Sequence, residues 1–129
     1  MRFPKVVVLL LTSVAGCHYA SPDLAYVPDS PTYDHDVRPL LSDHCVLCHG
    51  NPPNRGAPHT YRLDLYGDTD HPLDAQFCFT VTVGSDTDPY CLRRIVKEEM
   101  PPAAKDGDGV GPNGIEMLRR WIANGLPEQ

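Results

Sequence analysis

Residues 42–50 read SDHCVLCHG, with two cysteines three positions apart and a histidine directly after the second. Three chemistries use such a pair. A haem-attachment segment requires the trailing histidine, a zinc knuckle requires a second tight ligand pair elsewhere, and a redox dithiol sits in a βαβ context. The choice decides the fold, because each chemistry puts a different object at the centre of a 129-residue chain long enough for one domain.

The haem reading explains every position of the motif. Cys45 and Cys48 lie on one turn and can add to the two vinyl groups of a porphyrin edge, and His49 then swings beneath the ring as the proximal iron ligand. The zinc reading would add Cys78 and Cys91 as the second pair. Twelve residues separate these two, where zinc ribbons use a tight C-x2–4-C turn. A thioredoxin-like dithiol would need a βαβ pattern, which the chain lacks.

The N-terminus bears on the choice. MRFPKVVVLLLTSVAGC, residues 1–17, has Arg2 and Lys5, an apolar run from Val6 to Leu11, and small residues ending at Cys17. That is the order of an export signal, and the run is too short for a spanning helix. Val14-Ala15-Gly16-Cys17 resembles the lipobox of bacterial lipoproteins, in which cleavage precedes the cysteine and its sulfur carries the lipid. Residues 1–17 are therefore expected to be a lipoprotein signal peptide with Cys17 lipidated, which anchors a chain to a membrane surface without spanning it. Removing them takes away two basic residues and no acid, leaving 9 Lys+Arg against 17 Asp+Glu, a net charge of −8. Such a surface does not suit nucleic acid and suits a partner with a basic face.

Residues 18–33, HYASPDLAYVPDSPTY, hold three prolines and small or polar side chains, as a flexible tether does. The domain is expected over 34–129. Val37, Leu40 and Leu41 form an i, i+3, i+4 face, predicting a helix over about 36–46 with Pro39 in its first turn. Residues 50–75, rich in Gly, Pro and Asp, predict loop with a short extended piece around YRLDLY, 61–66. QFCFTVTVG, 76–84, has strand composition. DTDPYCLRRIVKEE, 86–99, predicts a helix capped by Asp88, starting at Pro89 and carrying Leu92, Ile95 and Val96 on one face. Residues 100–114 read as loop. The chain closes on a helix with Ile115, Leu118 and Ile122 as a stripe, Trp121 beside it and Gly125 as its stop. DGDG, 106–109, lacks EF-hand spacing and reads as a polar surface loop.

In an exported protein each remaining cysteine needs a role. With Cys45 and Cys48 assigned, Cys78 and Cys91 are expected to form a disulfide that staples a thin core. A second axial ligand is expected from Met100. It ends a helical stretch and precedes Pro101-Pro102, which stiffen the backbone beyond it. Met117, inside the last helix, reads as packing. His59 or His71 would give a bis-histidine site instead, and His44 lies too close to the proximal turn to reach the opposite face. His35 completes the set of histidine alternatives, and His59 and His71 each read more often as a solvated loop histidine.

In this order, a helix ending in CVLCH, a variable loop region, a helix ending in MPP and a final LRRWIANG helix, the chain resembles small class I-type mono-haem c-type cytochromes, in particular bacterial lipoprotein or exported forms. The resemblance covers roughly residues 34–127. It implies an all-α, cytochrome c-like haem-wrapping domain with long loops and room for a short β-hairpin or strand insert. The first and last helices would cross through Leu40, Leu41, Leu118, Trp121 and Ile122. It implies covalent haem c on Cys45 and Cys48, with iron held by His49 and Met100. The segment DAQFCFTVTVGSDTDPYC, 74–91, departs from the simplest family pattern. The function this implies is electron transfer rather than catalysis, with a redox protein as partner, on the periplasmic side of a membrane or on the outer membrane. A haem subunit, or a sensor or peroxidase-like module with a displaceable sixth ligand, is the alternative.

Overall fold

The computed structural model describes residues 23–59, 61–68, 70, 73–102 and 109–129. The signal segment, the lipidation expected at Cys17, His71 and most of the DGDG loop lie outside these residues.

The chain enters as irregular backbone over 23–32 and turns into a π-helical segment, Tyr33–Val37, that runs straight into α1, Arg38–His44. The helix therefore starts before the predicted residue 36. Pro39 lies in the first turn of α1, where its missing N–H costs nothing. The backbone breaks at Cys45 and resumes as α2, Val46–His49, tied to α1 by Cys45 N–H donating to the Leu41 carbonyl at 2.8 Å. Two-residue strands follow: β1, Tyr61–Arg62, pairs in parallel with β2, Leu73–Asp74, in the register Tyr61 to Leu73 and Arg62 to Asp74.

β2 leads directly into α3, Ala75–Cys78. Asp74 makes the switch. One carboxylate oxygen accepts from Phe77 N–H at 2.9 Å as an N-cap, and the other accepts from Asp68 N–H at 2.7 Å. The strand expected over 76–84 is thus absent. The capped turn takes its first half, and Val83, 49 % exposed, has no sheet to enter. α4 is Tyr90–Val96, with Pro89 in the capping position rather than Asp88. α5 is Pro112–Ala123.

Helices account for 40 % of the described residues and a parallel sheet is present, which corrects the all-α expectation for the fold. The physical reason is local composition. The Gly-, Pro- and Asp-rich stretches cannot propagate a helix, and Tyr61-Arg62 finds an extended partner at Leu73-Asp74.

The core gathers around α5. Trp121, Leu118 and Met117 are buried with Tyr33, Val37, Leu40 and Leu41 on one side and Phe79, Leu92 and Ile95 on the other. The buried stripe of α5 is Gly114, Met117, Leu118 and Trp121, while Ile115 and Ile122 are only partly covered. Trp121 is the hub. Its ring lies 5.7 Å from Phe79 and 6.0 Å from Tyr33, and its indole N–H donates to the Pro127 carbonyl at 2.9 Å. Burial pushes the Tyr33 phenol up to about 12.

Residues 23–29 form no helix or strand but lie along α5. The Asp23 carboxylate accepts from Asn113 N–H at 3.1 Å and Gly114 N–H at 3.2 Å, capping a helix that has no cap of its own. Arg120 donates to the carbonyls of Val27 and Pro28 and pairs with Asp29 at 3.0 Å. No helix among the described residues is long and apolar enough to cross a membrane.

Candidate cofactor site

A cavity of about 720 Å³ opens between α2, β1, α3, α4 and the segment 100–102. That volume falls in the range of sites for cofactors and drug-sized ligands, roughly 300–1,000 Å³. Its walls are mostly apolar, from Leu63, Phe79, Ile95 and Pro58, with Leu47 at the rim.

The first wall is the motif itself. α2 carries Cys45, Cys48 and His49 to the cavity, and both thiols are free. The turn is closed by the Cys45 carbonyl, which accepts from Cys48 N–H at 3.1 Å and His49 N–H at 2.8 Å. The His49 carbonyl accepts from Leu63 N–H at 2.8 Å, which fixes the histidine against the end of β1. The His49 ring meets Tyr61 edge-on, with centroids 6.2 Å apart. Its Nδ1 is buried with no hydrogen-bond partner among the described residues. Burial lowers the His49 pKa, so the imidazole is held neutral, the form that binds a metal. Burial, and then the neighbouring Cys48 sulfur, pushes the Cys45 thiol up to about 12. A reactive redox thiol has the opposite shift.

The facing wall holds Met100, Pro101 and Pro102. α4 ends in a tight turn in which Glu98 N–H donates to Ile95, and both Glu99 and Met100 N–H donate to the Arg94 carbonyl at 2.9 and 3.2 Å. These bonds aim the chain back at the cavity. Met117 is 2 % exposed in the core and does not line the cavity.

The third wall joins α3 to α4. Cys78 and Cys91 form a disulfide across a Cα–Cα distance of 5.4 Å, and both residues line the cavity. With these sulfurs bonded to each other, no second cysteine pair is left to complete a zinc site with Cys45 and Cys48. No three His, Cys, Asp or Glu side chains converge on a metal position among the described residues.

Of the other histidines, His44, at the end of α1, also borders the cavity. His59 is exposed and outside the lining, and His35 lies in the π-helical turn. Sequence reasoning missed Tyr61, Tyr90 and Arg94, which bring polar tips to this apolar space. Tyr90 and Arg94 stand one turn apart on α4, but an amphipathic helix offers no sign of which charged side chain turns inward.

The donor set fits a covalently bound haem. It offers two free thiols on one turn, a partly buried imidazole whose buried Nδ1 has no partner among the described residues, a thioether on another wall and an apolar cavity between. The chain matches no protein-family model, no curated protein and no solved structure.

Proposed function

We propose that this chain is a one-electron carrier that holds a single c-type haem in the cavity between α2 and the Met100 segment. The observation that carries the reading is the convergence of Cys45, Cys48, His49 and Met100, remote in sequence, on one mostly apolar cavity. Cys45 and Cys48 would hold the ring by thioether bonds, and His49 and Met100 would hold its iron. Bound haem supplies an iron centre that changes oxidation state by one electron.

The chain's own residues set the conditions for that exchange. Apolar walls exclude water, so a change of charge inside reorganises little solvent. The thioether of Met100 favours a higher potential than a second histidine would. Its backbone N–H donates to the Arg94 carbonyl and two prolines follow it, which limits the entropic cost of placing the residue at the cavity. A filled sixth position leaves no room for substrate, which makes the protein a carrier rather than an enzyme. The same motifs support its likeness to exported mono-haem c-type cytochromes, with lipid on Cys17 at a periplasmic or outer-membrane surface. An excess of acidic residues directs it to a redox protein with a basic docking face.

The test uses the full chain produced in cells with a functioning haem-attachment system. Covalent haem, sharp reduced α and β bands and a weak near-infrared Met–Fe(III) band are expected. Met100→Ala should abolish that band and let the reduced protein bind carbon monoxide readily. A wild-type chain without covalent haem overturns the reading. An unchanged Met100→Ala spectrum overturns Met100 as ligand.

A further inference from the structure

A mostly apolar cavity has little use for a guanidinium, yet Arg94 lines this one. Its Nε is buried without a hydrogen-bond partner. The carboxylate of Glu99 stands 3.6 Å from that nitrogen, close enough for charge attraction and too far for a hydrogen bond. Tyr90 fixes the rest of the group. Its hydroxyl accepts from Nη1 at 3.1 Å, and its ring lies 5.5 Å from the guanidinium carbon. Tyr61 lines the cavity as well, as does Arg55, the second arginine of the lining.

A buried Nε–H left without a hydrogen-bond acceptor is costly, and the fork of an arginine matches a carboxylate best. An occupant that is apolar over its faces and acidic along one edge would answer both features of the cavity. We propose that Arg94, held in place by Tyr90, is the seat of a carboxylate on the bound cofactor. The haem then lies with its propionate edge toward α4 and its vinyl edge toward Cys45 and Cys48. This rests on the reading that the cavity holds haem, and it assigns Arg94 as a binding residue. The geometry decides against Glu99 as the sole acceptor, because Glu99 lies on the exposed turn and leaves Nε unbonded.

The experiment measures the reduction potential of the full haem-loaded chain from acid to neutral pH, for wild type, Arg94→Gln, Arg94→Lys and Glu99→Gln. Removing a positive charge beside the haem favours its oxidised form. Arg94→Gln should shift the reduction equilibrium about tenfold toward oxidised protein, which is about 59 mV for one electron. It should also add a pH-dependent step, because the carboxylate is no longer held ionised. Arg94→Lys should recover most of the potential, and Glu99→Gln should follow wild type. The Met–Fe(III) band should persist in all four, which a general loss of packing would not allow. The proposal falls if the Arg94→Gln profile superimposes on wild type, or if Glu99→Gln reproduces its shift. Should Arg94→Gln fail to fold, Arg94→Lys decides through its pH profile: a single ammonium cannot replace the fork fully, so a pH profile that superimposes on wild type overturns the assignment. Wild-type protein without covalent haem overturns both this inference and the haem reading, whereas the other failures leave the haem reading standing.

Discussion

Glu98 carries an unusual burden for a single side chain. It sits at φ 56, in the left-handed region, directly after the cap of α4. Glu98 N–H donates to Ile95 and Glu99 N–H donates to Arg94, the paired bonds of a Schellman ending. Glycine normally holds that position. It does so at the end of α5, where Gly125 has φ 83 and the same two bonds recur from Gly125 to Ile122 and from Leu126 to Trp121. A side chain in this region costs on the order of 1–2 kcal/mol, part of which a glycine would give back as unfolded-chain entropy. Glu98→Gly is therefore expected to stabilise the chain by about 0.5–1 kcal/mol, read as a higher denaturation midpoint with an unchanged slope. A loss of stability would show that the carboxylate makes a contact worth more than the strain. Each site residue could be picked out by its own local signal: the cysteine spacing for Cys45 and Cys48, the next position for His49, the following prolines for Met100. Arg94 had none, because only packing distinguishes it from Arg93, which pairs with Asp86 at 2.6 Å outside the cavity lining.

Between elements, Gly114 of α5 lies tight against Leu40 of α1. A Cβ there would lie 2.7 Å from a Val110 methyl and 3.2 Å from Leu40 Cδ1. The absence of a side chain lets Leu40 press onto the helix beside Met117 and Leu118. Gly114→Val is expected to cost about 1–3 kcal/mol by overpacking this crossing, in spite of the better helix propensity of valine. Ala123→Val, on the exposed end of the same helix, should stay within about 0.5 kcal/mol. Equal effects from the two, in urea unfolding, would mean that the crossing yields without strain. The apolar face of α1 was legible in the sequence, since Val37, Leu40 and Leu41 are all buried, whereas on α4 Val96 turns outward from Leu92 and Ile95, and on α5 the buried stripe runs through Met117 and Trp121 rather than Ile115 and Ile122. The failure at 76–84 has an equally local cause. Val, Thr and Phe favour strand only where a partner strand exists, and the Asp74 cap gave the segment a helical turn instead. Asp23 shows the limit from the other side. It caps α5 across about ninety residues of sequence, a distance over which no local pattern can be read.

For the whole molecule, the Cys78–Cys91 disulfide links α3 to α4 and with them two sides of the cavity. With a sequence separation of 13 between the two cysteines, chain-entropy arguments give about 3 kcal/mol for the cross-link. Replacing both cysteines by serine is expected to lower stability by about that amount and to loosen the wall that carries α4. Calorimetry of the haem-loaded protein gives the first quantity. On the proposal that Met100 binds haem iron, the intensity of the Met–Fe(III) band gives the second, because α4 ends in the turn that leads to Met100. If the double variant unfolds at the wild-type temperature, the bond is not a staple for this core. A loss of the band without a loss of stability would assign the disulfide to ligand placement alone.

Reading along the chain was enough to single out Cys45, Cys48, His49 and Met100 as candidates, to place the apolar face of α1 and to pair Cys78 with Cys91. Each depends on spacing within a turn or on elimination among a few cysteines. Packing in three dimensions revealed that the fold is not all helix, that residues 23–29 lie along α5, and that Arg94 joins Cys45, Cys48, His49 and Met100 at one cavity. The reason is range. Local periodicity records which face of an element is apolar, whereas a cavity wall is assembled from several elements whose meeting is set by packing around Trp121.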